Sequence, residues 1–186
     1  MKVNVPKQGV LLIAEPSIIG DLSFNRSVIL LSHHSKTGSV GFILNKLLSV
    51  TLNELVPEIK VNFKIFNGGP VEQDNLYFIH KVPELIPNSI RIEEGIFWGG
   101  SFEKIITLIN EEEINEADIK FFLGYSGWDA QQLEDELEKD TWVINTDFNV
   151  KEVISSPDAN YWKSEIKKLG GEYLIWSNAP ENPNLN

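Results

Sequence analysis

The sequence predicts an α+β fold, with one compact domain over residues 1–186 built on a largely antiparallel or mixed sheet with flanking helices. Apolar runs of strand length recur along the chain, and helix-capping signals separate some of them. Strands and helices are interleaved without the regular βαβ alternation that builds parallel sheets. A length of 186 residues fits one ordinary domain. A polar, Pro-containing tail is expected from about residue 178 to residue 186.

Most of the predicted strands are short apolar or alternating runs bounded by turn residues. These runs cover residues 10–14, 27–32, 40–44, 61–66, 76–80, 89–92, 119–123, 142–144 and 173–176. The second and third runs flank a polar, Gly-containing link at residues 33–39. This arrangement predicts a hairpin whose loop is longer than the tightest type.

Capping signals predict where helices begin and end. Residues 51–54 have the order of a capping box, so a short helix should start there and stop at Pro57. Ser101 follows two glycines and should open a second helix. Ser156-Pro157 has the order of an N-cap followed by Pro at the first helical position, and Gly170-Gly171 is expected to end that last helix.

The segment from Gly124 to Glu134 is expected to form a rigid corner between a strand and a short acidic helix. Asp129 precedes Gln132 by three residues, the spacing of an N-cap and the side chain that reaches back to it. Trp128 and Leu133 hold the flanking positions at which two apolar groups pack and fix the entry angle of the helix.

Composition excludes several classes of site. The chain contains no Cys, which removes disulfides, thiolate metal sites, iron–sulfur clusters and a Cys nucleophile. The first six residues lack the apolar region of a signal peptide, and no apolar run is long enough to span a bilayer. We therefore expect a cytoplasmic protein that does not enter the membrane and carries no cofactor.

Charge is the other global feature. The formal net charge is −11, and residues 111–140 hold eleven acids against two lysines. Because Lys and Arg contacts to phosphate supply most non-specific DNA affinity, direct nucleic-acid binding is not expected. A partner protein with a basic patch would complement the acidic stretch, and a small ligand is the other candidate. A solvated face that only aids solubility explains the same charge.

Ser126 follows a strand and precedes a predicted helix, as the nucleophile of a hydrolase elbow does. That elbow requires Gly two residues after the Ser, where this chain has Trp128. A triad would also need a base, and no spacing in the sequence places a His beside Ser126. We assign no catalytic residue and expect Ser126 to be a small residue packed in a tight turn.

Glycine-rich turns and acidic or His pairs are the remaining candidates for ligand or metal sites. Gly68-Gly69-Pro70 would present backbone N–H groups to an anion, although it lacks the Lys that completes a P-loop. Adjacent His33 and His34 should point to opposite sides of a strand, and Glu134 and Glu138 share a helix face without an accompanying His. We assign no metal site.

Several segments together resemble the AlgH/YqgE family of bacterial proteins, and the similarity runs nearly end to end. They are Gly9–Ala14, Asp21-x-x-Phe24-x-Arg26-Ser27-Val28, Gly38-x-x-Gly41-Phe42-Ile43-Leu44-Asn45, Gly68-Gly69-Pro70-Val71, and Gly124–Trp128 with Gln132-Leu133-Glu134. The family usually has Gly where this chain has Gln131, a change that should cost little because Gln is the better helix former. It often has Ala where this chain has Ser126, which removes support for a nucleophile.

The resemblance implies a single α+β domain whose curved, split sheet approaches a pseudo-barrel. Family members are often labelled transcriptional regulators, but the resemblance brings no agreed catalytic residues or cofactor. The sequence itself has no helix-turn-helix pattern with basic recognition positions. Regulation would then act indirectly, through a protein or a small ligand.

We expect the protein to be a non-enzymatic regulatory or binding module. The alternative is an enzyme, such as a hydrolase that uses Ser126 or a carboxylate pair at the loops around Gly68-Gly69 and Tyr125–Trp128. Because motif loops gather at strand ends, we predict one ligand-binding groove. Its predicted lining residues are Asn45, Gly68, Gly69, Tyr125 and Trp128.

Overall fold

The computed structural model describes residues 5–16, 23–155 and 160–178. The strands in these ranges are β1 Leu11–Ala14, β2 Val28–Ser35, β3 Gly38–Ile43, β4 Leu47–Thr51, β5 Lys64–Asn67, β6 Val71–His80, β7 Ile90–Glu93, β8 Ile96–Trp98, β9 Ile119–Asp129 and β10 Trp142–Asn145. The helices are α1 Leu52–Leu55, α2 Phe102–Asn110, α3 Gln132–Glu138, α4 Val150–Ser155, α5 Asn160–Leu169 and α6 Tyr173–Ser177.

The strands form one sheet, in the order β10-β1-β2-β3-β9-β6-β8-β7, with β4 and β5 attached beside β9. Within the described residues only the β5–β9 pairing is parallel, and all the others are antiparallel. The predicted α+β class with a mostly antiparallel, mixed sheet is confirmed. The sheet stays open, because its terminal strands β10 and β7 do not pair with each other.

Helices cover both faces of the sheet, which explains the continuous apolar runs. On β1, Leu11 and Ile13 belong to the core cluster that contains Trp162 and Ile166 of α5. Leu12 lies on the other face, in the cluster that contains Leu133 of α3. A third cluster joins α2 to β5, β6 and the first part of β9.

Several local predictions are confirmed. Thr51 forms its capping box with Glu54 before α1, and the Ser101 hydroxyl caps α2 by accepting from the Lys104 N–H. Gly170 follows α5 with a φ of +68°, the left-handed conformation expected after a helix end. The predicted N-cap Ser156-Pro157 lies outside the described residues.

Three predictions about local structure are wrong. The link expected at residues 33–39 lies almost wholly in β2 and β3, which are joined by a two-residue turn between Ser35 and Gly38. The run expected as a last strand forms α6, Tyr173–Ser177. The expected corner after Leu123 is a continuous strand, because β9 runs on to Asp129 and its last four residues pair with β3.

A candidate groove beside the glycine crossing

The glycine turn of residues 68–70 is where the chain crosses over β9. Before the turn, β5 pairs with one edge of β9, and after it β6 pairs with the opposite edge. A Cβ on Gly68 would lie 2.2 Å from the Gly124 carbonyl oxygen, and one on Gly69 would lie 2.3 Å from that of Tyr125. Gly69 also has a φ of +151°. The two backbones are therefore in direct contact, and no space remains between them for a ligand.

Asn45 also has a structural environment. It is buried, and its amide group connects two segments: the Val28 N–H donates to its Oδ1 at 3.0 Å, and its Nδ2 donates to the Arg26 carbonyl at 2.9 Å. This side chain fixes the entry to β2 against the end of β3. The side-chain oxygen and nitrogen of Asn45 are therefore both engaged in hydrogen bonds within the fold.

Ser126 is fully buried in β9, and its hydroxyl donates to the carbonyl oxygen of Gly68 at 3.1 Å. The Ser126 side chain thus helps to hold the crossing together. A hydroxyl in this position is shielded from any substrate in solution. The geometry gives no support to a nucleophilic role for Ser126.

Beside the crossing, the surface contains a groove of about 420 Å³ over β3 and the last part of β9, which we call the β3–β9 groove. Its lining residues are His33, Ser35, Thr37, Gly38, Ser39, Val40, Val71, Tyr125, Gly127, Trp128, Asp129 and Gln132. Tyr125 and Trp128 are thus brought together here, whereas Asn45, Gly68 and Gly69 are not among the lining residues.

The floor of the groove is open because Gly127 has no side chain. Gly127 pairs with Val40, which in turn pairs with His33, so the three positions share one face of the sheet. Tyr125, two residues before Gly127, lies on the same face and packs edge-to-face on Tyr77 with ring centroids 5.7 Å apart. The result is a small floor bordered by a phenol and an imidazole.

Trp128 lines the groove at its position in β9, but its indole is buried on the opposite face of the sheet, against α3. Its indole N–H donates to Oε2 of Glu136 at 2.9 Å, and the indole N–H of Trp142 donates to the same oxygen at 2.7 Å. The Glu136 Oε1 accepts from the side-chain amide of Gln132 at 2.8 Å. Because one carboxylate receives three charge-assisted hydrogen bonds, α3 is fixed against β9.

The electrostatic environment of the groove is acidic. Neither Lys nor Arg is among the lining residues, which include the exposed carboxylate of Asp129. Exposed Glu72 and Asp74 follow Val71, which lines the groove, in β6. Glu134 of α3 lies 3.7 Å from the His34 ring, but on the opposite face of the sheet from His33 and the groove.

A second Ser–His pair appears only in the structure, since nothing in the sequence links Ser89 to His80. The Ser89 Oγ lies 3.0 Å from Nε2 of His80. However, the His80 Nδ1 accepts from the Val82 N–H at 3.3 Å, which places the ring proton on Nε2, and the Ser89 hydroxyl donates to the Ile86 carbonyl at 2.6 Å. His80 therefore cannot take the Ser89 proton in this arrangement. Burial lowers the pKa of His80 and favours this neutral form.

Lys120 is a buried amine on the first part of β9. It is 3% exposed, and its Nζ lies 3.9 Å from the centroid of the Phe66 ring, next to a cavity of about 30 Å³. Burial lowers the pKa of Lys120 to about 7, and the nearby charge of Lys64 acts in the same direction against that of Glu116. The cavity has room for little more than one water molecule.

A larger depression of about 840 Å³ lies near Phe148 and includes Lys81, Lys151 and Lys168. Two of these amines are already paired: Lys81 lies 3.4 Å from Asp118, and Lys168 contacts two glutamates at 2.7 and 2.9 Å. Its lysines therefore offer less positive charge to an anion than their number suggests. Within the described ranges, no three His, Cys, Asp or Glu side chains are grouped as a metal site requires.

A family model described as AlgH-like matches residues 11–174. The chain belongs to the AlgH-like family. Its relatives include a UPF0301 protein of Cytophaga hutchinsonii, 40% identical over 181 residues and covering 96% of this chain and 98% of the relative. A UPF0301 protein of Bacteroides thetaiotaomicron is 36% identical over 184 residues, covering 98% and 92% of the two chains.

Two solved structures support the fold. Protein DIP2367 of Corynebacterium diphtheriae matches with a TM-score of 0.76 at 22% identity, covering 96% of this chain and 95% of the other. The solution structure of AlgH from Pseudomonas aeruginosa matches with a TM-score of 0.71 at 23% identity, covering 98% and 100%. In the described part of this family member, no helix has the length and apolarity needed to cross a bilayer.

Proposed function

We propose that this AlgH-like protein is a non-enzymatic binding module and that the β3–β9 groove is its binding site. One observation carries the proposal: the same motif that buries Ser126 places Tyr125, Gly127 and Trp128 along an open groove. The polar groups that a ligand can reach act in recognition, while the Ser126 hydroxyl, the nucleophile that the sequence pattern offered, is inside the fold. Concave sites with a few oriented polar groups are typical of binding.

Regulation by this module, if it acts on transcription, would be indirect. The net charge of −11 and the acidic surroundings of the groove oppose contact with phosphates. The same charges favour a partner that carries a basic patch. A small ligand that controls such a partner is compatible with the same groove.

A substitution that fills the β3–β9 groove tests the proposal. Gly127→Leu adds a side chain to the floor at a position whose φ lies outside the left-handed range. Lys104→Leu, on the exposed face of α2, is the matched control that adds apolar volume elsewhere. Each variant is first checked by circular dichroism and urea unfolding.

The three proteins are then immobilised and exposed to nuclease-treated lysate of the source cells, and retained proteins and small molecules are identified by mass spectrometry. We expect a stoichiometric component that wild type and Lys104→Leu retain and Gly127→Leu loses. Equal retention by all three proteins would contradict a binding role for the groove. A catalytic turnover abolished by Ser126→Ala or Tyr125→Phe would contradict the non-enzymatic assignment.

A further inference from the structure

The last part of β9 has a free pairing edge beside the groove. On one edge of β9, pairing with β3 continues from Ser126 to Asp129. On the other edge, pairing with β6 ends at Tyr125, and no other described strand takes its place. An edge of this kind presents backbone donors and acceptors to a partner strand.

One hydrogen bond, together with the alternation of backbone groups along a strand, indicates which groups this edge offers. The Asp129 N–H donates to Oε1 of Gln132 at 3.0 Å and so points away from β3. Because the direction of backbone groups alternates along a strand, those of Gly127 point to the same side as Asp129. The Gln132 amide therefore occupies the position in which the carbonyl of an added strand would accept from Asp129.

The charges around this edge specify the partner. The carboxylate of Asp129 is exposed next to it, and exposed Glu72 and Asp74 follow Val71, which lines the same groove. No Lys or Arg is among the lining residues, although exposed Lys36 lies in the turn between Ser35 and Gly38, so the charge close to this edge favours an added strand with basic side chains.

We propose that the β3–β9 groove binds an extended, Lys- or Arg-bearing segment of a partner protein, which adds to the free edge of β9 as a strand. This inference rests on the proposed function and names the partner's chemistry. Backbone hydrogen bonds to Gly127 and Asp129 supply the affinity, and the acids select basic side chains, as in other cases of strand addition. Gly127 leaves the space that an inward-facing side chain of the segment fills.

A synthetic probe tests the inference without knowledge of the natural partner. The probe is a heptapeptide of alternating Lys and Val, acetylated and amidated, and it is titrated into ¹⁵N-labelled protein while amide resonances are followed by NMR. We expect the backbone amides of Gly127 and Asp129 and the side-chain amide of Gln132 to shift, because the peptide displaces Gln132 from the Asp129 N–H. The same peptide with Glu in place of Lys should not bind.

Two further probes separate strand addition from simple charge attraction. The Lys–Val peptide with every backbone nitrogen methylated keeps its charges but cannot donate backbone hydrogen bonds, and we expect a loss of about tenfold or more in affinity. Spermine carries charge without a peptide backbone and should bind more weakly. Equal affinity of spermine or of the methylated peptide would overturn the inference, as would shifts confined to another surface or no binding at all.

A matched pair of variants tests whether the acidic side chains select a basic peptide. Asp129→Asn preserves shape and removes the charge, so the Kd of the Lys–Val peptide should rise at least threefold. Glu103→Gln makes the same charge change on α2 and should leave the Kd within about twofold. An unchanged Kd in Asp129→Asn overturns the inference. A groove that retains a cellular component but ignores these peptides would leave the proposed function standing and remove only the strand-addition step.

Discussion

In the first part of β9, residues 119–125, the central residues 121–123 pair with β5 on one edge and β6 on the other, whereas residues 126–129 pair only with β3. The first part is nearly all buried, and it passes beneath the chain crossing of Gly68-Gly69. The second part borders the β3–β9 groove and carries an exposed carboxylate at its end.

Two glycines of one short motif therefore have different roles. Gly124 has a φ of +70°, and a Cβ there would lie 2.7 Å from two carbonyl oxygens of the crossing segment. A Cβ at Gly127 would first meet the Tyr125 ring at 3.3 Å, and its φ lies outside the left-handed range. Gly124 is required by backbone contact, whereas Gly127 keeps a surface open. Similar residues in one motif need not serve one function.

The largest effect is expected at the crossing. Gly69→Ala combines a left-handed φ with a 2.3 Å approach to the Tyr125 backbone, which cannot move without breaking β9 pairing. We expect a loss of about 4 kcal/mol or more in the free energy of unfolding, measured by urea titration, or a failure to fold.

Gly99→Ala is the matched control for Gly69→Ala. Gly99 also has a left-handed φ, +66°, but nothing lies within 4 Å of its added Cβ. It should lose only about 1 kcal/mol, the cost of backbone strain alone. Equal losses in the two variants would show that close backbone contact at the crossing contributes nothing.

The next effect concerns Lys120 in the buried part of β9. Its pKa of about 7 in the folded protein lies below the value of an exposed Lys, so the unfolded state binds more protons between about pH 7 and 10. The stability of wild type should rise with pH in this window. Lys120→Met removes the buried amine and should be more stable than wild type by about 2 kcal/mol at pH 6.

Urea unfolding at a series of pH values measures the difference between Lys120→Met and wild type. The difference should be complete below about pH 7 and shrink as the pH approaches 10. Lys104→Met, at an exposed position on α2, should show no such dependence. A constant difference across the range would mean that Lys120 keeps an ordinary pKa in the folded protein.

The elements that the sequence predicts well have local signals. Capping of α1 by Thr51 and of α2 by Ser101 depends on side chains within a few residues, and both caps form. The continuous apolar run of β1 follows from burial on two faces, which is also a local pattern. Each of these signals needs no knowledge of a distant partner.

The wrong predictions involve partners far along the chain. A capping pattern exists at Asp129, whose N–H does receive the Gln132 side chain, but pairing with β3 keeps the preceding residues in a strand. Residues 173–176 have the apolar, aromatic composition of a strand, yet they form α6 after the turn at Gly170-Gly171, with Tyr173 packed on the core. Strand propensity is context-dependent, and tertiary packing decides such short runs.

The residues of the candidate site also divide into those with a local signal and those placed by distant parts of the chain. Tyr125 and Trp128 were predicted from the motif and line the groove, whereas His33 and Val40 join them only through the register of β2, β3 and β9. No local pattern encodes that register. The role of Gly127 as the floor also depends on it.

Gln131 illustrates a local signal that was interpreted wrongly. We expected Gln in place of the family's usual Gly to cost little, but Gln131 adopts a φ of +67° immediately before α3. A left-handed residue favours Gly, so helix propensity is the wrong measure here. Gln131→Gly should therefore raise the free energy of unfolding by about 0.5–1 kcal/mol.

The sign of this effect can be checked within the same helix. Asp135→Gly, at an exposed position inside α3, should lower the free energy of unfolding by about 1 kcal/mol because its backbone is helical. Both changes are measured as shifts of the urea midpoint. Destabilisation by both substitutions would show that Gln131 makes a favourable contribution that outweighs its backbone strain.

The smallest change in stability is expected at Gly127, and it tests the contrast between the two parts of β9 most directly. Gly127→Ala places a methyl group 3.3 Å from the edge of the Tyr125 ring and 3.6 Å from Val71, both of which border the groove. The half-buried Tyr125 ring can yield by a few tenths of an ångström, so the free energy of unfolding should stay within about 0.5 kcal/mol of wild type.

Gly124→Ala is the matched substitution three residues earlier, and it should be severely destabilised because its methyl group meets backbone carbonyls. Thermal and urea unfolding of the two variants under one condition make the comparison. Similar losses in both would mean that the second part of β9 is as tightly enclosed as the first, and the groove would then be too constrained to accept a partner strand. A large loss in Gly124→Ala alone would leave Gly127 free to be selected for binding, since the fold itself does not require a glycine there.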